Sequence, residues 1–393
     1  MRRTHCPWQH VCRVSVDSCC ASGINPMIPM LDLRALHGPI QSALNDAARG
    51  VIESGQYING PAVVEFETRL SAYLGGGEVI GVSSGTDALG VALMALGVRP
   101  GDKIITTPYT FFATVGAIVR LGAIPVFVDI CPDTYNINVD QIAPLIDSDT
   151  VGILPVHLFG SMADMNAINA IAQKHGLWVV EDTAQALGAL SAGSMAGTMG
   201  TVGCFSFFPS KNLGASGDAG AVVTGDLVLA EKIRQLRSHG ASVRHQHVLV
   251  GGNFRMDTLQ AAMLNIKLAY LDEWNRHRQA AAQIYRTVFA GCSDIICPSD
   301  APGHTYNQFV IRLPEMLRTL AIDALDMAHI AWAIHYPMPL HLQPALKYLR
   351  YRRGDMPVAE NAAGATLAIP LNPTITLSDQ RTVAQTIINA ITT

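Results

Sequence analysis

The chain is 393 residues long and 49% hydrophobic, with a mean hydropathy of +0.25 and a net charge of −4. That length holds two domains or one large α/β body, each with a full core, and the apolar balance suits a parallel sheet buried on both faces. Two classes are excluded: no run of about 18 apolar residues marks a membrane span, and no basic stripe offers a footprint for nucleic acid or an anionic membrane.

Residues 1–26 begin with Arg2 and Arg3, but Arg13 and Asp17 interrupt any apolar stretch, so a secretory signal is not expected. This leader reads as a disordered arm, or as an over-extended start with Met27 as the first residue. Cys6, Cys12, Cys19 and Cys20 crowd it, while Cys131, Cys204, Cys292 and Cys297 are scattered without metal or disulfide spacing. Such usage points to a reducing, cytoplasmic compartment.

From Leu31 strand-like runs alternate with helical periods. The runs are Val79–Val82, Lys103–Thr106, Pro125–Val128, Val151–Pro155, Leu177–Val180, Gly203–Phe208 and Gly220–Thr224, with helices such as Asp87–Leu96 and Ala163–His175 between them. This alternation predicts an α/β fold with a mainly parallel sheet covered by helices. A long helix is expected from Asp257, a good N-cap, through Leu259, Met263, Ile266, Tyr270 and Trp274. After about Arg276 the texture changes to a strand at Phe309–Leu313, a helix near Leu317–Ala328, a strand at Trp332–Tyr336, Pro-rich turns and a final helix. The expected division is a large domain over 27–275 and a smaller α+β domain over 276–393.

Three stretches carry chemistry. Val82-Ser83-Ser84-Gly85-Thr86-Asp87-Ala88-Leu89 is a strand running through a small-residue turn into a helix, whose unpaired N–H groups and positive dipole end suit a phosphate; many α/β proteins have such turns for structural reasons alone. Leu177-Trp178-Val179-Val180-Glu181-Asp182 ends a buried strand in two acids at the sheet edge where α/β proteins bind ligands. Asp182 is the candidate to pair with a protonated ring nitrogen, with a helix N-cap as its alternative, and Glu181 is read as structural. In Phe205-Ser206-Phe207-Phe208-Pro209-Ser210-Lys211-Asn212-Leu213-Gly214, Lys211 is the only Lys or Arg between Lys174 and Lys232. The aromatic approach should dehydrate its amine and lower its pKa, as Schiff-base chemistry needs, where a solvated loop lysine would stay cationic.

Together these stretches resemble the DegT/DnrJ/EryC1/StrS family of pyridoxal-phosphate-dependent sugar aminotransferases, of the aspartate-aminotransferase fold type I. The resemblance runs from Met27 to the C-terminus and is most specific over Ser206–Gly220. It extends to Ser54–Pro61, Pro108–Thr114, Pro155-Val156-His157-Leu158-Phe159-Gly160, Gly252-Asn253-Phe254-Arg255-Met256-Asp257 and His335–Gln343. It implies that Lys211 carries the cofactor as a Schiff base and shuttles a proton, and that Asp182 keeps the ring nitrogen protonated. It further implies that Gln185 contacts the ring or its phenolic oxygen, that Gly85, Thr86 and Ser206 bind the phosphate, and that Phe111 stacks on the ring. Asn253 would complete the phosphate site of the neighbouring subunit in a homodimer. Arg255 is a candidate to face substrate, a salt bridge at the interface being the alternative.

The implied reaction moves an amino group, from glutamate as donor, to a keto sugar carried on a nucleotide; His335–Gln343 resembles members acting at C3 more than at C4. Ala219 where a second Gly is usual, Leu187 where His is frequent and Phe159 in place of Tyr depart from the pattern and bear on substrate detail. The rivals are an aminocyclitol aminotransferase, a dehydratase, against which Lys211 speaks because those variants carry His there, and a non-catalytic regulatory protein, against which the absence of a helix-turn-helix or basic domain speaks. His239, His245 and His247 have no Cys or carboxylate at ligand spacing, so they read as a loop rimming the site rather than a metal centre.

Overall fold

The computed structural model describes residues 28–392; the leader, 1–26, lies outside them. Three helices come first. Asp32 caps α1 (Leu33–His37) by accepting from the N–H groups of Arg34 and Ala35, and α2 (Gln41–Ser54) and α3 (Pro61–Leu74) end on left-handed Gly55 and Gly75. The alternation then begins with β1 (Glu78–Val82), α4 (Gly85–Ala95), β2 (Lys103–Thr106), α5 (Ala113–Arg120), β3 (Ile124–Phe127), β4 (Thr150–Leu154), α6 (Met165–His175) and β5 (Trp178–Asp182). A short hairpin, β6 (Leu190–Ser191) and β7 (Ser194–Met195), leads to β8 (Val202–Ser206) and β9 (Gly220–Thr224). Helix α7 (Leu227–Arg237) and a second hairpin, β10 (Ala241–Val243) with β11 (Gln246–His247), follow.

The expected single helix from Asp257 is two: α8 (Thr258–Leu268) and α9 (Leu271–Phe289). The apolar periodicity runs through the break because both helices are amphipathic, yet they serve different cores. Tyr270 donates its N–H to Lys267 O and stacks on Trp274 at 6.0 Å, turning the chain between them. Asp257 precedes the first of these helices in an extended conformation, but its side chain makes no capping bond.

The last segment contains β12 (Phe309–Arg312), α10 (Glu315–Met327), α11 (Pro357–Ala365), β13 (Thr366–Ile369) and α12 (Leu377–Thr392). Here the expected strand at Trp332–Tyr336 is absent: only Ala333 forms a bridge, to Ala368. The partner of β12 is β13, whose Thr-Leu-Ala-Ile run is masked in the sequence by the helical Ala-rich stretch before it. The change of texture at Arg276 falls inside α9, whose Ala281, Tyr285 and Phe289 join Ile28, Phe309, Leu325, Leu367 and Ile387 in a core of their own.

The central sheet has the order β1-β9-β8-β5-β4-β2-β3, parallel except for β9. Successive side chains of a strand point to opposite faces, and here both faces are covered. Ile80, Ile104, Leu154, Val180, Cys204 and Val222 pack under α4, α5 and α7. Val79, Phe205, Ala221 and Val223 meet α3 and α8, and Ile105, Ile153 and Val179 meet α6. This two-sided burial explains why the strands read as continuous apolar runs.

At Gly203, on β8, a Cβ would lie 2.1 Å from the Gly197 carbonyl oxygen, which is backbone and cannot step aside. Gly203→Ala should therefore lower stability by about 3 kcal/mol through overpacking, as measured by denaturant unfolding of the protein without added ligand.

Candidate active site

Glu181 and Asp182 end β5 as neighbours, so they point into opposite layers. Glu181 shares its face with Val179. Its carboxylate accepts from the N–H groups of Gly197 (2.8 Å), Met199 (2.7 Å) and Gly200, and from His157 Nε2 at 2.8 Å. His157 Nδ1 accepts from the Ala163 N–H at 3.1 Å, which leaves the ring proton on Nε2 to be donated. Burial pushes the Glu181 carboxyl up, but the bonds from His157, Gly200 and Gly197 outweigh it and hold the pKa below the ordinary value. The carboxylate is fully buried and saturated by local donors: a structural anion.

Asp182 shares the other face, with Val180, under α5. There Thr114 Oγ1 donates to Oδ2 at 2.8 Å and the Ala184 N–H donates to Oδ1 at 3.2 Å. Since the Thr114 proton is committed to the carboxylate, Thr110, at 3.0 Å, donates to Thr114. Burial raises the Asp182 pKa against these bonds and against the charge of Lys211. Among the described residues no cation is bonded to this carboxylate, so it retains lone pairs for a protonated partner.

Lys211 lies in the irregular loop between β8 and β9. Ala215 N–H to Phe207 O (2.7 Å) closes the loop, and Lys211 N–H to Phe208 O (2.8 Å) turns it. Burial depresses the amine to about pKa 8 although Asp182 pulls it upward. The Lys211 charge in turn, added to burial, pushes His335 down to about 4. An amine, a carboxylate and a neutral imidazole thus share one partly buried site at the C-terminal ends of the parallel strands.

The start of α4 closes a third side. Ser84 caps it by accepting from Asp87 N–H at 3.1 Å, leaving the N–H groups of Gly85 and Thr86 at a helix start without intrahelical partners. Only glycine fits at position 85, because a Cβ there would come within 2.5 Å of Ser206 Cβ. Ser206, at the end of β8, accepts from Phe208 N–H at 3.3 Å and keeps its own hydroxyl proton free to donate. Phe111 is 60% exposed in the isolated chain, with its ring 6.5 Å from that of Tyr336. Gln185 is committed at both ends of its amide: it accepts from Phe159 N–H at 2.8 Å and donates to the Tyr336 hydroxyl at 3.0 Å.

These residues fit the cofactor that the sequence resemblance implies. A buried carboxylate without a cation suits a protonated ring nitrogen, a desolvated amine suits an aldehyde, and bare N–H groups beside Ser206 suit a phosphate. Thr114, Tyr336 and His157 were not singled out from the sequence. Each lies in a stretch that carries the resemblance, but only the packing of α5 and the C-terminal segment against β5 shows what it touches.

Asn253 and Arg255 come from the segment that precedes α8, where Arg255 bridges Val82 at the end of β1. Asn253 is exposed, its backbone bridged to Ser238. Arg255 lines a cavity of about 430 Å³ with Ser83, Ser84, Asp87, Asp218, Asp257 and Gln260, and its Nε is buried without a hydrogen-bond partner. His239 and His247 meet through a bond of 2.9 Å from the His247 ring to the His239 carbonyl, in the exposed hairpin of β10 and β11. Among the described residues no group of three or more His, Cys, Asp or Glu could hold a metal ion, and no helix is long and apolar enough to cross a membrane.

Comparison with known proteins gives a match over residues 39–388 to the model of the DegT/DnrJ/EryC1/StrS aminotransferase family. A pleiotropic regulatory protein of Geobacillus stearothermophilus is 42% identical over 364 residues, covering 92% of this chain and 97% of that one. The dTDP-3-amino-3,4,6-trideoxy-alpha-D-glucose transaminase of Streptomyces venezuelae is 40% identical over 350 residues, covering 88% and 92%. Among solved structures, S. venezuelae DesV in complex with a ketimine intermediate superposes with a TM-score of 0.90 at 38% identity, covering 93% of this chain and 98% of that one.

The contrast between the two acids is testable without any ligand. Glu181→Gln places an amide N–H₂ among four donors and should destabilise the fold by about 3 kcal/mol, the cost of breaking a buried pair. Because the folded pKa of Glu181 is depressed, its contribution is complete above about pH 4.3, its unfolded value, and is lost as the pH falls through the lower folded value. Denaturant unfolding at pH 7 and at acid pH checks both statements.

Proposed function

Because the chain belongs to the DegT/DnrJ/EryC1/StrS aminotransferase family, whose members are pyridoxal-phosphate-dependent, we propose that Lys211 and Asp182 hold pyridoxal 5'-phosphate for amino transfer to a nucleotide-linked keto sugar. The observation that carries this is the desolvated Lys211 amine beside the buried Asp182 carboxylate at the ends of β5 and β8. When bound, the cofactor supplies an aldehyde and an electron-withdrawing ring that acidifies the C–H next to the transferred nitrogen.

The chain's own residues do the rest. With its amine near pKa 8, Lys211 has an appreciable neutral fraction at physiological pH, so Nζ can attack a carbonyl and afterwards accept and return a proton. Asp182, oriented by Thr114 and Ala184, keeps a proton on the ring nitrogen by offering a buried negative charge. The N–H groups of Gly85 and Thr86, with the Ser206 hydroxyl, receive the phosphate. Phe111 covers the ring face and excludes water. Gln185 holds the Tyr336 hydroxyl as an acceptor, which leaves the Tyr336 proton directed elsewhere, toward ring or substrate oxygen.

The S. venezuelae transaminase named for a 3-amino sugar supports C3 as the carbon aminated; glutamate is the proposed donor and the cytoplasm the proposed compartment. The same reading has two domains, 27–275 and 276–393, and a homodimer with shared sites. Supporting the dimer, Phe208 and Val250, close in sequence to Lys211 and Asn253, are exposed in a single chain, as is Asn253 itself. Arg255, with an unpartnered Nε in a cavity it shares with Asp87, Asp218 and Asp257, is proposed to face substrate, a salt bridge at the interface being the alternative. The relative named as a regulatory protein keeps a non-catalytic role as the second reading; turnover decides between them.

Purified holoprotein should show a visible absorbance band that borohydride abolishes, with the pyridoxyl group mapping to Lys211. A label on another lysine, or full turnover by Lys211→Ala, would sink the assignment. Asp182→Asn, which keeps the shape and removes the charge, should cut kcat by roughly a hundredfold or more, in the range of lost electrostatic stabilisation.

Shared sites predict complementation. Lys211→Ala and a disruptive Asn253 variant, each inactive alone, should regain part of the activity when their subunits exchange, because one site of the mixed dimer keeps both residues. No recovery after demonstrated exchange places Asn253 in the same site as its own Lys211.

A further inference from the structure

Lys211 sits in a loop without regular secondary structure, so its backbone must be fixed by something other than a ladder of hydrogen bonds. The next residue, Asn212, is 5% exposed, and every polar atom of its amide is used. Its Nδ2 donates to Asn275 Oδ1 at 2.7 Å and to the Thr305 carbonyl at 3.1 Å, and its Oδ1 accepts from Asn307 Nδ2 at 2.8 Å. Asn275, on α9, donates in turn to the Leu187 carbonyl at 3.3 Å, just beyond Gln185. Asn275 and Asn307 are themselves 6% and 4% exposed.

The packing around this cluster leaves it no slack. A Cβ at Gly188, which has φ +84°, would lie 2.6 Å from Asn275 Nδ2. One at Gly160, φ +101°, would lie 2.7 Å from Thr305 Oγ1 and 2.9 Å from the Asn307 N. Both glycines thus hold conformations and approaches that admit no side chain. The neighbouring N–H of Gln308 bonds to Phe159 O at 3.4 Å, and Phe159 N–H bonds to Gln185 at 2.8 Å. Three asparagines from distant parts of the chain therefore tie the Lys211 loop to α9, to the segment entering β12 and to the loop of Gln185.

We infer that Asn212, Asn275 and Asn307 are positioning residues that fix the Lys211 backbone, and so the placement of its amine, through one buried amide cluster. The inference rests on Lys211 being the cofactor lysine, which the borohydride map tests by itself. A buried amide left unpaired is costly, so the three act as a unit. Displacing a reacting group by about 1 Å can cost as much as a hundredfold in rate.

The experiment uses the full-length, cofactor-loaded enzyme. Asn307→Ala removes the donor to Asn212 and should lower kcat at least roughly tenfold, with KM for the sugar within about twofold. The visible band that grows when pyridoxal phosphate is added to the apoprotein should form more slowly than in the wild type. Asn307→Ser, which retains a hydroxyl donor, should recover part of both. Asn212→Ala with Asn307→Ala should be no worse than Asn212→Ala alone, since both delete the same bond. With the label on Lys211 established, a folded Asn307→Ala enzyme with unchanged kcat and band formation overturns the inference, and so does a double variant whose losses multiply. Should Asn307→Ala fail to fold, Asn212→Ser takes its place, and wild-type kcat and band formation in that folded variant overturn it equally.

Discussion

Two-sided burial of β5 is the constraint on which the site depends. A strand covered on one face would send every second residue into water. Here α4 and α5 cover the Val180 face and α6 the Val179 face, so the two acids that end the strand both enter the protein, in different layers. An ionised carboxylate at such a place must be compensated. Glu181 is compensated by the chain itself, through His157 and the N–H groups of Gly197, Met199 and Gly200. Asp182 receives only Thr114 and Ala184 and is left with a raised pKa. The difference between a structural anion and one that awaits a cation is one residue of strand register.

The same economy governs the lysine loop. Its aromatic approach, Phe205 and Phe207, is buried among α3 and α8, and burial lowers the pKa of the Lys211 amine. Dehydration alone would leave the loop's backbone groups unsatisfied. The Gly214 carbonyl is met by the buried Lys267, which donates to it at 2.8 Å, while the Asn212 side chain anchors the loop through the asparagine cluster. Lys267 has no carboxylate bonded to it, and burial lowers its pKa to about 8. A buried ammonium directed at a carbonyl is tolerated where that carbonyl must be held.

The C-terminal part of the chain is joined to the site by aromatic and polar contacts rather than by the sheet. The Tyr109 hydroxyl donates to the His335 carbonyl at 2.6 Å and meets Thr366 Oγ1 at 2.8 Å, and its ring lies 6.0 Å from Tyr336. Arg278, fully buried on α9, spans the carbonyls of Tyr306, Asn307 and Leu371. These contacts hold His335 where the Lys211 charge lowers its pKa and Tyr336 where Gln185 bonds its hydroxyl, so the site is walled by two parts of the chain with separate cores.

The sequence by itself determined the strand–helix alternation, the family resemblance and the choice of Lys211 and Asp182 for attention. Those follow from local properties: apolar periodicity, small-residue turns after strands, and an isolated lysine after aromatics. It did not show the break between α8 and α9, because both helices are amphipathic and the periodicity crosses Tyr270 undisturbed. Nor did it distinguish β13 from the helix before it, or Trp332–Tyr336 from a strand, since a run of only four or five residues takes its form from its partner. Thr114 under Asp182, His157 on Glu181 and Asn307 on Asn212 are separated in the chain by 68, 24 and 95 residues. Only the tertiary structure decided those pairings, because a buried polar group finds whichever partner the packing of distant elements places within about 3 Å.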